Sequence, residues 1–147
     1  MSASENAAFD ALCATPHFSW HELRAPRNPV IRAALRALCV YVLEPLRLEV
    51  GGPLHATGYR DEARNAVVGG AQDTQHARGE AGDVMHDAHS SRSLARAFLD
   101  ALIPFDQLIW YPGGHEHVHI SYVASRRPNR HQVLCCTGPG EYVAREP

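Results

Sequence analysis

The stretch QLIWYPGGHEHVHISYV, residues 107–123, predicts a β-hairpin and indicates the class of fold. Two runs rich in β-branched and aromatic residues, 107–111 and 118–123, flank a turn that contains Pro112-Gly113-Gly114. Side chains alternate between the two faces of a strand, so the second run has one apolar and one polar face. The polar face carries groups that can bind or react: His117, His119 and Ser121.

The segment after Asn28-Pro29 predicts the clearest helix, because asparagine is a good N-cap and proline suits the first helical position. Its apolar residues recur at steps of three and four: Ile31, Ala34, Leu35, Leu38, Val42 and Leu46. We expect Pro45 and Gly51-Gly52 to end this helix. Shorter helices are predicted at three further places: residues 6–13, 61–68 and 91–102.

Three more segments have the composition of strands: residues 54–57, 81–85 and 133–135. The strand at 81–85 places Asp83 in a regular element, and the strand at 133–135 is expected at the edge of the sheet. Together, these segments predict an α+β fold in which helices pack on one side of a small, mostly antiparallel sheet. No linker or repeat divides the 147 residues, so we expect one domain over 1–147, with its core at about 28–135.

The composition is that of a soluble globular protein, with 45% hydrophobic and 20% charged residues. A formal net charge of −2 gives no bulk attraction to a polyanion, which argues against nucleic acid as a partner. The first residues have neither a basic start nor an apolar run, so we expect synthesis in the cytoplasm without a signal peptide. No stretch approaches the roughly 20 apolar residues of a membrane span. We therefore expect no insertion into membranes, and we also expect a monomer.

Two imidazoles and one carboxylate lie at a spacing that favours a metal site. Six residues, two of them glycines, separate His76 from Asp83, and the glycines allow the chain to turn between the two side chains. His119 would complete three ligands and leave a fourth position for water, which is the count of catalytic rather than structural zinc. We expect Zn2+ as the cofactor. His117 lies on the same strand face and is an alternative ligand; otherwise it would orient substrate.

Two further side chains complete a hydrolytic site. Glu116 lies three residues before His119, close enough to accept a proton from the water and to return it to the leaving amine. Arg60 is a permanent cation that could stabilise an oxyanion or hold a substrate carboxylate by a forked contact. The pattern favours a zinc peptidase.

Other charged residues have simpler interpretations. We interpret Asp106 as a cap where a strand begins, and Arg126-Arg127 as a solvated loop, with contact to an anionic wall polymer as the alternative. His55, His86, His89, His115 and His131 are expected at surface or turn positions, and Asp73 and Asp87 are expected to be solvated.

Ordered short matches run from about residue 28 to 121: Val42-Leu43-Glu44-Pro45-Leu46-Arg47, Thr57-Gly58-Tyr59-Arg60, Asn65 with Val68-Gly69-Gly70-Ala71, Gln75-His76 with Gly79, Ala81 and Asp83, Phe105-Asp106-Gln107-Leu108-Ile109, and His117-Val118-His119. With these motifs the chain resembles the D-Ala-D-Ala carboxypeptidase family of zinc peptidases, the M15 group. The resemblance implies the family fold, zinc on His76, Asp83 and His119, a base at Glu116, and substrate or oxyanion contact at Arg60. We also place Gln75 and His117 in contact with substrate. The chain departs from the family at Thr74, where serine is usual, and at Ala56-Thr57, where Thr-Ser is usual.

The resemblance implies action on peptidoglycan stem peptides, as a D-Ala-D-Ala carboxypeptidase or an endopeptidase. We expect a phage-type lysis enzyme that reaches the cell wall through a holin pore. A cytoplasmic D-Ala-D-Ala dipeptidase is the enzymatic alternative. The non-enzymatic alternative is a zinc-stabilised binding or virion domain without turnover.

Overall fold

The computed structural model describes residues 13–69, 74–113 and 116–147, together with Ser2 and Ser4. The described strands are β1 (Cys13–Thr15), β2 (Phe18–Ser19), β3 (His55–Thr57), β4 (Ala81–Met85), β5 (Gln107–Trp110), β6 (Val118–Ser121), β7 (Gln132–Gly138) and β8 (Glu141–Ala144). The described helices are α1 (Pro29–Leu38), α2 (Glu44–Val50), α3 (Glu62–Val67) and α4 (Ser91–Asp100). A helix was expected at 6–13; residues 6–12 lie outside the described part of the chain, and Cys13 begins β1.

The main sheet has six strands in the order β3-β4-β6-β5-β7-β8. Its neighbouring strands are antiparallel except for β5 and β7, which are parallel. The predicted α+β fold with a mostly antiparallel sheet is therefore confirmed, and β5 and β6 form the pair expected from residues 107–123. The expectation that residues 133–135 lie at the sheet edge was wrong, because β8 pairs with the outer side of β7.

Helix α1 begins where its cap predicts. The side chain of Asn28 accepts hydrogen bonds from the backbone N–H groups of Val30 and Ile31, at 2.9 and 3.2 Å. Pro45 does not end the helical segment, which continues through a π-helical turn at Cys39–Leu43 into α2. That turn places Pro45 in the first turn of α2, where the missing N–H breaks no hydrogen bond within α2. The helical segment ends at Gly51, whose φ is 80°.

One face of the sheet packs against the hydrophobic core, and the opposite face carries the candidate site. On β4 and β6, Val84, Val118 and Ile120 are fully buried and belong to one hydrophobic core with side chains of α1 and α4. Because side chains alternate along a strand, the residues between them point to the opposite face. Asp83 and His119 lie on that opposite face, which α1, α2 and α4 leave open for chemistry.

None of the described helices is both long and apolar enough to cross a membrane.

Candidate metal centre

His76 is held in a short, tightly capped turn. The 3-10 turn Gln75–Arg78 begins with Thr74, whose hydroxyl accepts a hydrogen bond from the backbone N–H of His76 at 3.2 Å. It ends at Gly79, which has a φ of 74°. A Cβ at Gly79 would also lie 2.7 Å from the carbonyl oxygen of Ile31, so glycine is needed for both conformation and packing. The turn buries the His76 side chain beside β4.

A backbone carbonyl orients the imidazole of His76. The Nδ1–H of His76 donates to the carbonyl oxygen of Gly58 at 2.8 Å. Because a carbonyl can only accept, this contact sets the ring tautomer and leaves Nε2 with a free lone pair. That Nε2 lies 3.5 Å from Oδ1 of Asp83.

Asp83 and His119 are brought together by strand pairing. They are direct partners in the antiparallel register of β4 and β6, so their side chains leave the sheet on the same face. Nδ1 of His119 lies 3.4 Å from Oδ1 of Asp83. One ligand atom from each of His76, Asp83 and His119 lies within 4.8 Å of the other two. The three predicted ligands therefore converge.

The carboxylate at the centre of this group is suited to a cation. Oδ1 of Asp83 is buried and has no hydrogen-bond partner among the described residues. An unsatisfied buried polar atom is costly, and a metal ion would remove that cost. Two imidazoles and one carboxylate are a donor set that suits zinc with one position left open. The residues thus fit the predicted metal.

The protonation states also suit metal binding. Burial raises the pKa of Asp83, but the neighbouring His119 and His76 outweigh burial and hold that pKa well below its usual range. Burial lowers the pKa of His119, although Asp83 opposes the shift. Asp83 is therefore ionised near pH 7, and burial favours the neutral form of His119; these are the forms that bind metals.

His117 lies beside the group rather than within it. Its Nε2 is 3.6 Å from Oδ1 of Asp83, and its ring centroid is 4.8 Å from that of Tyr111. The side chain of His117 is 33% exposed, against 13% for His119. The metal-ligand group found among the described residues contains His119 and not His117.

The group opens into a cavity of about 790 Å³, which we call the cleft. Arg60 lines the cleft, and its backbone N–H donates to the carbonyl oxygen of His76 at 3.2 Å. The side-chain Nε of Arg60 is buried, without a hydrogen-bond partner in the described part of the chain. A cation with an unsatisfied donor therefore lies next to the candidate metal group, as a contact to substrate would require.

Gln75 also lines the cleft, but its amide is already engaged. Its Nε2 donates to Oδ2 of Asp106 at 3.1 Å and lies 3.5 Å from Oε1 of Glu80. Contact between Gln75 and substrate stays a prediction.

Glu116 lies two residues before β6 and is exposed. It is not among the described residues that line the cleft. Burial is the main cause of a raised pKa at Tyr111, and the charge of Glu116 adds to it, so Glu116 lies within electrostatic range of a cleft residue. Its assignment as the base stays a prediction.

Two interpretations of charged residues were wrong. Asp106 is fully buried and accepts paired hydrogen bonds from Arg127 and Arg130, so it is more than a strand cap. Arg126 makes two 2.8 Å hydrogen bonds to the buried carboxylate of Glu80. Arg126 and Arg127 are therefore ion-paired rather than simply solvated. No local pattern could reveal these pairs, since their partners lie 46 and 21 residues away.

Comparison with known families agrees with this geometry. Residues 16–121 match the family described as Peptidase M15, a range that contains every predicted site residue from Arg60 to His119. No curated protein matches the chain.

Proposed function

Since the chain belongs to the peptidase M15 family, we propose that it is a zinc-dependent peptidase that hydrolyses stem peptides of bacterial peptidoglycan. The observation that carries the proposal is the convergence of His76, Asp83 and His119 around a buried carboxylate oxygen without a hydrogen-bond partner. A purely structural zinc site usually closes with four protein ligands, often thiolates, whereas three ligands leave a position for chemistry.

When bound, zinc would supply a Lewis acid that polarises the scissile carbonyl and activates water. The protein holds the site in place through the Gly58 carbonyl, which orients His76, and through the paired strands that carry Asp83 and His119. Glu116 would accept the proton of the attacking water and deliver it to the leaving amine. Arg60 would stabilise the negative charge that develops on the carbonyl oxygen, or hold a substrate carboxylate.

The size of the cleft supports a stem peptide as substrate. A cavity of about 790 Å³ falls in the range that takes a drug-sized ligand and is larger than a free dipeptide needs. We therefore favour a carboxypeptidase or endopeptidase that acts on the cell wall, as a lysis enzyme would, over a dipeptidase.

The test is digestion of purified peptidoglycan by the zinc-loaded protein, with products identified by mass spectrometry. Release of terminal D-Ala would identify a carboxypeptidase, and cleavage within the stem an endopeptidase. D-Ala-D-Ala is the matched second substrate. Hydrolysis of that dipeptide alone would make the chain a dipeptidase, and bound zinc without any product would make it a binding domain. Chelator-treated protein is the control for metal dependence.

A further inference from the structure

Three arginines form a second functional surface of the cleft. Arg126, Arg127 and Arg130, which we call the arginine wall, lie between β6 and β7 and line the same cavity as the metal-ligand group. They follow the matched range 16–121, so the family match does not account for them.

The arginine wall is held by ion pairs to Glu80 and Asp106 and still has unused N–H donors. Its side chains are 41%, 30% and 46% exposed, while the carboxylates of Glu80 and Asp106 beneath them are 8% and 0% exposed. A guanidinium carries five N–H donors, and a paired contact to one carboxylate uses two of them. The ion pairs thus hold the guanidiniums in place and leave further N–H groups for a ligand.

The charge balance of the cleft favours an anion. In the arginine wall, three cations face two buried carboxylates, which leaves an excess of one positive charge. Two further cations line the cleft: Arg78, and Arg60 with its buried, unsatisfied Nε. Among the described cleft residues, the one acid is Asp83, and a metal ion would neutralise its charge. In a cavity partly shielded from water, this excess attracts a carboxylate.

The distance from the metal-ligand group corresponds to a few residues of a peptide. Asp106, which anchors Arg127 and Arg130, donates its backbone N–H to the carbonyl oxygen of Ser121 at 2.7 Å. Ser121 lies two residues beyond His119 on β6, which is about 7 Å along a strand. An extended substrate whose scissile bond lies at His119 would bring a residue two or three positions away to the arginine wall.

We propose that the arginine wall is a specificity subsite that binds a carboxylate of the substrate peptide, two or three residues from the scissile bond. This inference rests on the proposed peptidase function. It predicts that a stem peptide with a free carboxylate away from its C-terminus is hydrolysed with a higher kcat/KM than one without.

The experiment compares two synthetic stem peptides on the zinc-loaded protein. One has free carboxylates, and in the other every carboxylate except the C-terminal one is a carboxamide. We expect kcat/KM to be about tenfold or more lower for the carboxamide, because charge-assisted hydrogen bonds are lost. Leaving the C-terminal carboxylate unchanged keeps any contact with Arg60 the same in both peptides.

Arg130→Gln is the sharpest variant, because Arg127 would still pair with Asp106. It should remove most of the preference for the carboxylate peptide while retaining hydrolysis of the carboxamide. Arg96→Gln removes the same charge from an exposed position on α4 and should preserve the preference. If Arg130→Gln does not fold, Arg126→Gln and the peptide comparison on the unaltered protein decide the question.

Equal hydrolysis of both peptides by the unaltered protein would overturn the subsite and leave the peptidase function standing. A preference that survives in folded Arg130→Gln and Arg126→Gln would assign the arginine wall a purely structural role. If neither peptide is hydrolysed, the proposed function fails, and calorimetric titration of both peptides then tests the subsite by itself. Tighter binding of the carboxylate peptide would support it, and equal or absent binding would overturn it.

Discussion

Asp83, whose Oδ1 is buried, and Asp106, which is fully buried, are two carboxylates near the same cleft with opposite surroundings. Asp106 is saturated by Arg127, Arg130 and a backbone N–H. Oδ1 of Asp83 faces imidazoles at 3.4 to 3.6 Å and has no hydrogen-bond partner in the described chain. Neighbouring groups hold the pKa of each carboxyl below its usual range, although burial opposes the shift.

The difference separates a carboxylate that the protein itself satisfies from a candidate metal ligand. Guanidiniums satisfy Asp106 within the protein, so its contribution is to hold the loop after β6 against the sheet. Asp83 is left with an unsatisfied oxygen that a cation from outside can satisfy. We therefore expect substitutions of Asp83 and Asp106 to have different effects.

The largest effect is expected for Asp83→Ala. Removing the central carboxylate should abolish binding of about one zinc ion per chain and reduce peptide hydrolysis to background, because two imidazoles alone hold zinc weakly. Metal analysis after dialysis and a hydrolysis assay check this. Without metal, the variant should lose little stability, because Oδ1 of Asp83 has only imidazole neighbours at 3.4 to 3.6 Å and makes no hydrogen bond in the described part of the chain. A large loss of stability would mean that Asp83 is structural.

For Asp106→Asn we expect the opposite result, a loss of stability without a loss of zinc. Loss of the buried charge leaves Arg127 and Arg130 without a counterion, and unfolding should become easier by roughly 3 kcal/mol. Zinc content of the folded protein should be unchanged. Urea denaturation measures the first and metal analysis the second. Asp100→Asn, at an exposed position on α4, is the matched control and should change stability little.

Glu116→Gln should leave zinc content and stability unchanged while lowering kcat by about a hundredfold, the typical contribution of a positioned proton-transfer group. The matched control is Glu49→Gln at an exposed position on α2, and this variant should be fully active. A fully active Glu116→Gln protein would show that another group accepts the proton.

The smallest effect is expected for His117→Ala. If His117 only neighbours the metal group, zinc affinity should fall by roughly tenfold, as for residues that support ligands rather than bind the metal. His119→Ala is the matched comparison on the same strand face and should lose zinc almost completely. Equal losses in competition titrations with a chromophoric chelator would mean that both histidines bind the metal.

Much of the fold follows from short-range patterns. The Asn28 cap, the strand at Ala81–Met85 and the alternation along Val118–Ser121 agree with the structure, because each depends on residues only a few positions apart. The predicted strand at 81–85 placed Asp83 in a regular element. Alternation along the strand at 118–123 placed His119 on its polar face. The π-helical turn before Pro45 and the pairing of β7 with β8 were missed. Local propensity does not indicate which strands pair with each other in the sheet.

The sequence by itself predicted which residue types would supply the chemistry: two histidines and one aspartate as candidate metal ligands, in a pattern typical of a peptidase. Only the tertiary structure decided that Asp83 has an unsatisfied oxygen and that Asp106 does not. It also decided that the arginines of the loop after β6 reach the cleft. The physical reason is that hydrogen bonding of a buried charge depends on neighbours in space, and the arginine partners of Glu80 and Asp106 lie 21 to 46 residues away along the chain.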